Sequence, residues 1–249
     1  MFRVFALAVL ALLAPLEGGG VMFAAKQIYL GRSAKAAWTN PYVTDGLVAQ
    51  YDGEWNAGGG VHDAAAAKWK DLIGNRDWTE LPYNFVWTDI SAASNSNGWY
   101  NISAVRATEN WNVQYSHIEV CGKCFSGKNS SVCFCLGNSR MFGILPTNNR
   151  GFQFASGKPT MGGGFYSPWS VAATLDSSNN ITSCYYNSEA RTANLGTSTW
   201  LSANYVRFAE TSSYRFYGEI FSLRLYSRAL TAAEVAANHA IDKERFNLP

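Results

Sequence analysis

The feature that most constrains the fold is a series of short runs in which apolar and polar residues alternate, separated by clusters of Gly, Asn, Ser and Asp. Alternation with a period of two puts the apolar side chains on one face of a β-strand. Many short strands, with no helices between them, indicate a two-sheet antiparallel β-sandwich. The strongest runs are Leu47–Tyr51, His117–Val120, Val132–Leu136, Phe152–Phe154, Ser170–Leu175, Tyr205–Phe208 and Phe221–Tyr226.

The apolar members of these runs are the predicted core. They are Leu47, Tyr51, Ile118, Val120, Val132, Phe134, Leu136, Val206, Phe208, Leu223 and Leu225. The segment that leads into the last run contains a conflict, because Phe216 and Ile220 share one parity while Leu223 and Leu225 share the other. Both pairs can face one core only if the strand contains an extra residue, so we expect a β-bulge or bend near Gly218.

Composition and charge agree with an all-β chain. Of the 249 residues only 15% are charged and 14% are aromatic, which suits short strands and polar turns better than long helices. One helix is predicted near the C-terminus, where Thr231 and Glu234 have capping-box spacing and helix-favouring residues continue to Phe246. The net charge is +2 with no basic run, which argues against a nucleic-acid partner.

The N-terminal residues have two interpretations. The apolar run Phe5–Ala14 is too short to span a bilayer and resembles a secretory signal. Alternatively, Glu17–Gly20 is what a purine-rich ribosome-binding sequence encodes when it is translated in frame, which favours a true start at Met22. The predicted segments are 1–21, an apolar leader or translated upstream extension; 22–40, a small hairpin; and 41–249, the sandwich domain.

Four stretches carry a recognisable family pattern. Phe216–Val235 combines a strand, a Tyr-Ser-Arg-Ala-Leu corner and the capped helix. The others are Gly46–Gly53, Trp69–Asn75, and Trp169–Asp176 with Cys184–Asn187. Together they resemble the laminin-G-like branch of the concanavalin A-like lectin/glucanase superfamily. The resemblance implies that 41–249 forms a jelly-roll of two curved antiparallel sheets.

This variant of the family pattern resembles proteins of gut bacteria and their phages, some of them from virion or tail regions. The resemblance therefore implies a place on a phage virion or on a bacterial surface, or outside the cell. It also implies partners in virion assembly. The 22–40 hairpin is a candidate for homo-oligomer formation, because it has few charges and an exposed strand edge invites pairing with another chain.

No catalytic motif is visible. Glucanases of this superfamily carry a Glu-x-Asp-x-x-Glu strand, because retaining hydrolysis needs two carboxylates that flank one bond, and that motif is absent. Asp52 and Glu54 alternate before a Gly-rich loop and are interpreted as loop carboxylates, and Glu119 and Glu219 as solvent-facing strand residues. We therefore expect no enzyme activity and no cofactor. A glycoside hydrolase with an unfamiliar acid pair is the alternative.

The cysteines at Cys121-x-x-Cys124 and Cys133-x-Cys135 have spacings that suggest zinc. A hairpin between these two strands would place Cys121 opposite Cys135 and Cys124 on the core face, so the four thiolates would not converge on one ion. We therefore predict no metal. Such a hairpin would permit a Cys121–Cys135 disulfide in an exported chain, although five cysteines is an odd number for a disulfide framework.

Aromatic residues beside polar loop residues are the candidates for sugar binding, because the apolar face of a sugar stacks on Trp or Tyr. The candidates are Trp55, Asn56, Trp87, Trp99, Tyr100 and Tyr166. The competing interpretation is that most of the nine Trp residues pack the core. The expected function is a non-catalytic carbohydrate-binding or adhesive module that binds a glycan or a protein surface. The alternatives are an enzyme of the same fold and a purely structural virion or decoration protein.

Deletion of residues 1–21 is expected to leave a folded protein, because this segment has no polar alternation that would place it in a sheet. The melting temperature of protein begun at Met22 should equal that of the full-length chain. A signal peptide would be revealed by retention of the deleted form in the cytoplasm. A large loss of thermal stability would contradict both interpretations.

Overall fold

The computed structural model describes residues 38–79, 81, 84–95, 97, 116–125, 134–136, 139–145, 151–154, 160–162, 166–177, 181–191, 206–207 and 216–249. All of them belong to one compact unit, Ala37–Pro249. The predicted hairpin at 22–40 lies almost wholly outside the described residues, as do the segments around Trp99 and Cys133.

The described part of the chain is almost entirely β-structure, with one helix near the C-terminus. The strands are β1 (Leu47–Asp52), β2 (Phe85–Trp87), β3 (Ala92–Ser94), β4 (His117–Cys124), β5 (Phe134–Leu136), β6 (Ser139–Leu145), β7 (Gly151–Phe154), β8 (Thr160–Gly162), β9 (Trp169–Leu175), β10 (Ile181–Tyr186), β11 (Glu189–Ala190), β12 (Val206–Arg207) and β13 (Gly218–Tyr226). The helix is α1 (Ala232–Phe246). The predicted strands and helix are confirmed within the residues described.

These strands form two antiparallel sheets, as an all-β sandwich requires. The larger has the order β11-β10-β9-β4-β13-β3-β2, and β1 also pairs with β13. The smaller has the order β12-β5-β6-β7-β8. Because β13 pairs with β4 on one side and with both β1 and β3 on the other, it forms the centre of the larger sheet.

β13 contains a β-bulge at Phe221. Ile220 pairs with Gly122 of β4, and Ser222 pairs with the preceding residue, Cys121, so Phe221 is the extra residue. The four apolar residues whose parity conflicted now lie in one core cluster, namely Phe216, Ile220, Leu223 and Leu225. The bulge that the sequence predicts is therefore confirmed, a few residues beyond Gly218.

The main hydrophobic core lies on one face of the larger sheet and includes Trp69, Trp78 and Trp169 at 0% exposure. The predicted core residues whose side chains are described are all buried, namely Leu47, Tyr51, Ile118, Val120, Leu223 and Leu225. Leu47 belongs to a separate cluster beneath α1, with Tyr226 and Val235. The side chains of the other predicted core residues lie outside the description.

The predicted pairing of the cysteine strands is wrong. β4 pairs with β9 and β13, whereas β5 pairs with β6 and β12 in the other sheet, so Cys121 is not opposite Cys135. The alternation itself holds, because Cys124 lies in the main core and Cys121 lies in a different cluster, against Phe221. An alternating pattern determines which face a side chain occupies but not which strand lies beside it. Cys121, Cys124 and Cys184 are buried.

The opposite face of the larger sheet is buried as well, beneath α1, and it carries charge. Arg224 of β13 is 1% exposed and donates to Glu119 of β4 (Nε–Oε2 2.7 Å) and, through both terminal nitrogens, to Asp242 of α1. Glu119 is 4% exposed, so the prediction that it faces solvent is wrong. Alternation separates the two faces of a strand but does not show whether either face is exposed to solvent. Here both faces of the larger sheet are covered.

α1 begins with the capping box predicted from the sequence. The Thr231 hydroxyl accepts from the Glu234 backbone N–H, and the Glu234 carboxylate accepts from the Thr231 backbone N–H at 2.8 Å. Arg228 also donates to Glu234 through both terminal nitrogens. These hydrogen bonds lower the pKa of Glu234 to about 2, and the bond from Arg228 has the largest effect.

We expect Glu234→Gln to lower the free energy of unfolding at pH 7 by about 0.5–1 kcal/mol, because it removes an ion pair and a favourable charge at a helix N-terminus. The folded pKa lies below the ordinary value of 4.5, so this stabilisation is present above pH 4.5 and lost as the pH falls towards about 2. Denaturant unfolding at both ends of this range measures it. Glu244→Gln, on an exposed position of the same helix, is the control; a difference that persists at pH 2 would contradict the assignment.

Candidate functional site

The candidate site is built on the loop that follows β1. Asp52, the last residue of β1, accepts the backbone N–H groups of Glu54 (3.0 Å) and Trp55 (3.3 Å) and so turns the chain. Gly53 is required at this turn, since a Cβ atom there would stand 2.3 Å from the Cα of Ser91. The loop therefore leaves the sheet at a defined angle.

Asn56 closes the loop from inside. Its side chain donates to the Asp63 carbonyl oxygen at 2.8 Å and accepts from the Asp63 backbone N–H at 2.8 Å. Asn56 is 0% exposed, and this pair of bonds joins the start of the loop to its end. The structure thus gives this predicted sugar-binding residue an architectural role, between two residues that do reach solvent, Ala57 and Asp63.

Trp55 is half-buried between a cation and a second indole. The Arg245 guanidinium lies over its ring at 3.7 Å, and the Trp38 ring packs edge-on at 5.3 Å. Arg245 in turn donates to both oxygens of Asp52 (2.8 and 2.9 Å) and to Glu54 (2.7 Å). The carboxylates that alternate in the sequence are therefore both paired with one arginine of α1.

The other aromatic candidates are not brought together by the described structure. Trp87 is half-buried, donates from Nε1 to the Ala66 carbonyl at 2.9 Å and packs edge-on against Trp69. Tyr166 is 44% exposed. Trp99 and Tyr100 lie outside the described residues. Sugar contacts by all six candidates stay predictions, namely Trp55, Asn56, Trp87, Trp99, Tyr100 and Tyr166.

A cleft of about 370 Å³ opens beside the loop. We call it the loop cleft, and it is lined by Asn56, Ala57, Asp63, Ala66, Ala67, Lys68, Lys70 and Thr79. Lys68, Lys70 and Thr79 flank a β-bridge in which the backbones of Trp69 and Trp78 exchange hydrogen bonds of 2.9 and 2.8 Å. Both indoles are fully buried, so this part of the lining is anchored in the main core.

The charged residues of the loop cleft were missed in the sequence. Lys68 and Lys70 both donate to the same oxygen of Asp77, at 2.6 and 3.1 Å. Burial acts to raise the pKa of Asp77, but hydrogen bonds from the two lysines outweigh it, and the pKa falls below its ordinary value. The sequence pattern that could have revealed these residues is the Lys-Trp-Lys alternation, which places both lysines on the side opposite a buried Trp.

A second polar cluster lies between α1 and β9. His239 Nδ1 lies 2.7 Å from the Ser170 hydroxyl, beside a void of only about 10 Å³. Within the described ranges no group of three His, Cys, Asp or Glu side chains could hold a metal ion. No helix in the same part of the chain is long and apolar enough to cross a membrane.

No protein-family model matches the sequence, and no curated protein has a matching sequence. Solved structures do share the fold. A mutant of Trypanosoma rangeli sialidase displaying trans-sialidase activity has a TM-score of 0.58 at 14% identity, over 80% of this chain and 33% of that chain. The receptor-binding domain of botulinum neurotoxin type G has a TM-score of 0.52 at 14% identity, over 80% of this chain and 52% of that one. The binding domain of botulinum neurotoxin DC in complex with SialylT has a TM-score of 0.53 at 10% identity, over 79% and 51%.

Two predictions change in the light of these structures. The chain spans 33% of the length of the sialidases it matches, and at these identities the similarity concerns the fold. The prediction that the chain is not an enzyme is contradicted, because the solved chains that share its fold include sialidases. The all-β architecture is confirmed, whereas its assignment to the concanavalin A-like superfamily is not.

We expect Arg245→Met to lower the free energy of unfolding at pH 7 by about 3–5 kcal/mol, because it leaves the buried Asp52 carboxylate without its partner. Burial already raises the pKa of Asp52, and Arg245 opposes that rise. Without Arg245 the carboxyl takes up a proton as the pH falls through its raised pKa, so the loss should be smaller at pH 5 than at pH 7.

Denaturant unfolding at both pH values measures this effect. Lys243→Met removes a cation from an exposed position of the same helix and is the control. Adding Asp52→Asn to Arg245→Met should recover part of the stability. An equal loss at pH 5 and pH 7 would show that Arg245 acts through packing on Trp55 and not through Asp52.

Proposed function

We propose that this chain is a glycan-binding module and that the loop cleft is its sugar site. The observation that carries the proposal is the cleft itself: its volume, about 370 Å³, lies in the range of about 300–1,000 Å³ typical of ligand pockets. Its lining combines alanine methyl groups with hydrogen-bonding groups, which suits the C–H faces and hydroxyls of a sugar.

The fold supports the same proposal. Among the solved structures that share it, a Trypanosoma rangeli sialidase is in complex with sialic acid and a botulinum neurotoxin binding domain is in complex with SialylT. A laminin-G-like jelly-roll on a phage virion or a bacterial surface, as the sequence resemblance implies, would use such a module for adhesion. Hydrolysis is the second candidate, because part of the Trypanosoma rangeli sialidase chain, 33% of its length, shares this fold.

Ala67→Trp is expected to abolish glycan binding by the loop cleft. Ala67 is exposed and lines the cleft, so an indole there fills space that a sugar would need without entering the core. A glycan array identifies the bound sugars, and calorimetric titration of wild type and variant measures the loss. Ala240→Trp, on an exposed position of α1, is the matched control.

The same glycans separate the alternatives. Free sugar released during incubation would establish hydrolysis. Binding that survives Ala67→Trp would place the sugar site elsewhere, with exposed Tyr166 as the next candidate to replace by Ala. An array without any bound glycan would refute the proposal and favour a purely structural role in assembly.

A further inference from the structure

Lys68 and Lys70 form one face of the loop cleft for a geometric reason. They flank Trp69, whose ring is fully buried and whose backbone pairs with Trp78 in both directions. In an extended segment, residues on either side of an inward-pointing side chain point outward together. The two ammonium groups are therefore directed to the same side by an element that cannot rotate without unpacking the core.

Asp77 holds the two ammonium groups next to each other. Its Oδ2 accepts from Lys68 and Lys70, and its Oδ1 accepts the Asp71 backbone N–H at 3.1 Å. The Asp77 residue is 6% exposed, while the lysine side chains are 53% and 39% exposed. The carboxylate is thus largely covered, and the ammonium groups reach solvent.

The charge of this group is not balanced. Two ammonium groups share one carboxylate, so this group has a net charge of +1, while Asp63 places one negative charge elsewhere in the cleft. Each ammonium group has three N–H donors, and Asp77 takes one from each. The remaining donors can bind an anionic group at two points, as a carboxylate or a sulfate ester accepts hydrogen bonds through separate oxygens.

Asp63, which lines the same cleft, supplies the complementary chemistry. It is exposed, and its Oδ1 accepts from the Ala65 backbone N–H at 2.8 Å, which fixes the direction of the carboxylate. A carboxylate accepts hydrogen bonds from sugar hydroxyls. The cleft therefore offers donors with positive charge on one wall and an acceptor for hydroxyls on another.

We infer that the loop cleft selects acidic sugars, with Lys68 and Lys70 as the donors to a carboxylate or sulfate and Asp77 as the residue that positions them. This inference rests on the proposal that the cleft binds glycans, and it adds the class of ligand. Neutral glycans bind through the same cleft but lack the anionic group with which the two ammonium groups would pair.

Matched probes test the inference. Each pair on the array consists of a neutral glycan and the same glycan bearing sialic acid, a uronic acid or sulfate, and the best pair is then titrated at low and high salt. We expect the acidic member to bind more tightly, and Lys68→Gln/Lys70→Gln to weaken it by about tenfold, since hydrogen bonds to charged groups contribute more than neutral ones. The affinity for the neutral member should fall much less, so that the preference for the acidic member is lost, and added salt should weaken mainly the acidic member.

The single variants Lys68→Gln and Lys70→Gln measure how much each lysine contributes to the affinity for the acidic glycan. Lys243→Gln is the charge-matched control. Melting temperatures establish that each variant is folded. Binding of neutral and acidic members with equal affinity, sensitive to Ala67→Trp, would overturn the acidic preference and leave the glycan site standing. A preference for acidic probes that survives the double variant would overturn the role of the lysines. No binding of any probe would overturn both proposals.

Discussion

The structure depends on how the buried charge of Arg224 is neutralised. A guanidinium that is 1% exposed is tolerated only if carboxylates surround it, and here they come from two elements, Glu119 of β4 and Asp242 of α1. The Tyr42 ring lies over it at 3.9 Å, and the Tyr42 hydroxyl donates to Asp242. Burial acts to raise the pKa of Glu119, but Arg224 and His117 outweigh it and lower the pKa. The helix is thereby fixed on the sheet by charge as well as by apolar contact.

One turn further along α1, Arg245 extends the same arrangement to the candidate site. It pairs with Asp52 at the end of β1 and lies over Trp55 in the loop. The bulge at Phe221 lets Ile220 and Leu223 both face the main core, and the alternation after it directs Ser222 and Arg224 towards the helix. The geometry of the loop cleft is therefore connected to the centre of the sheet through a short series of ionic contacts.

The sequence predicted those elements whose pattern is local. Strands with clear alternation, the capping box at Thr231 and the parity conflict that signals a bulge are all visible in neighbouring residues. The short strands β2 and β3 were missed because three residues are too few to show a period. Glu119 was misplaced because its partner, Arg224, is 105 residues away. The loop cleft was missed because its lining residues come together only after Trp69 and Trp78 pair.

The position of α1 in the sequence has a consequence for the order of folding. α1 follows every described strand, yet it supplies Asp242, the partner of a cation at the centre of the larger sheet. Until the ribosome has released the helix, Arg224 has half of its counter-charge and the face around it is open to water. The sheet is therefore expected to reach its native packing only after α1 has left the ribosome, and the apolar residues beside Arg224 are the surface that a chaperone would meet on the nascent chain before then.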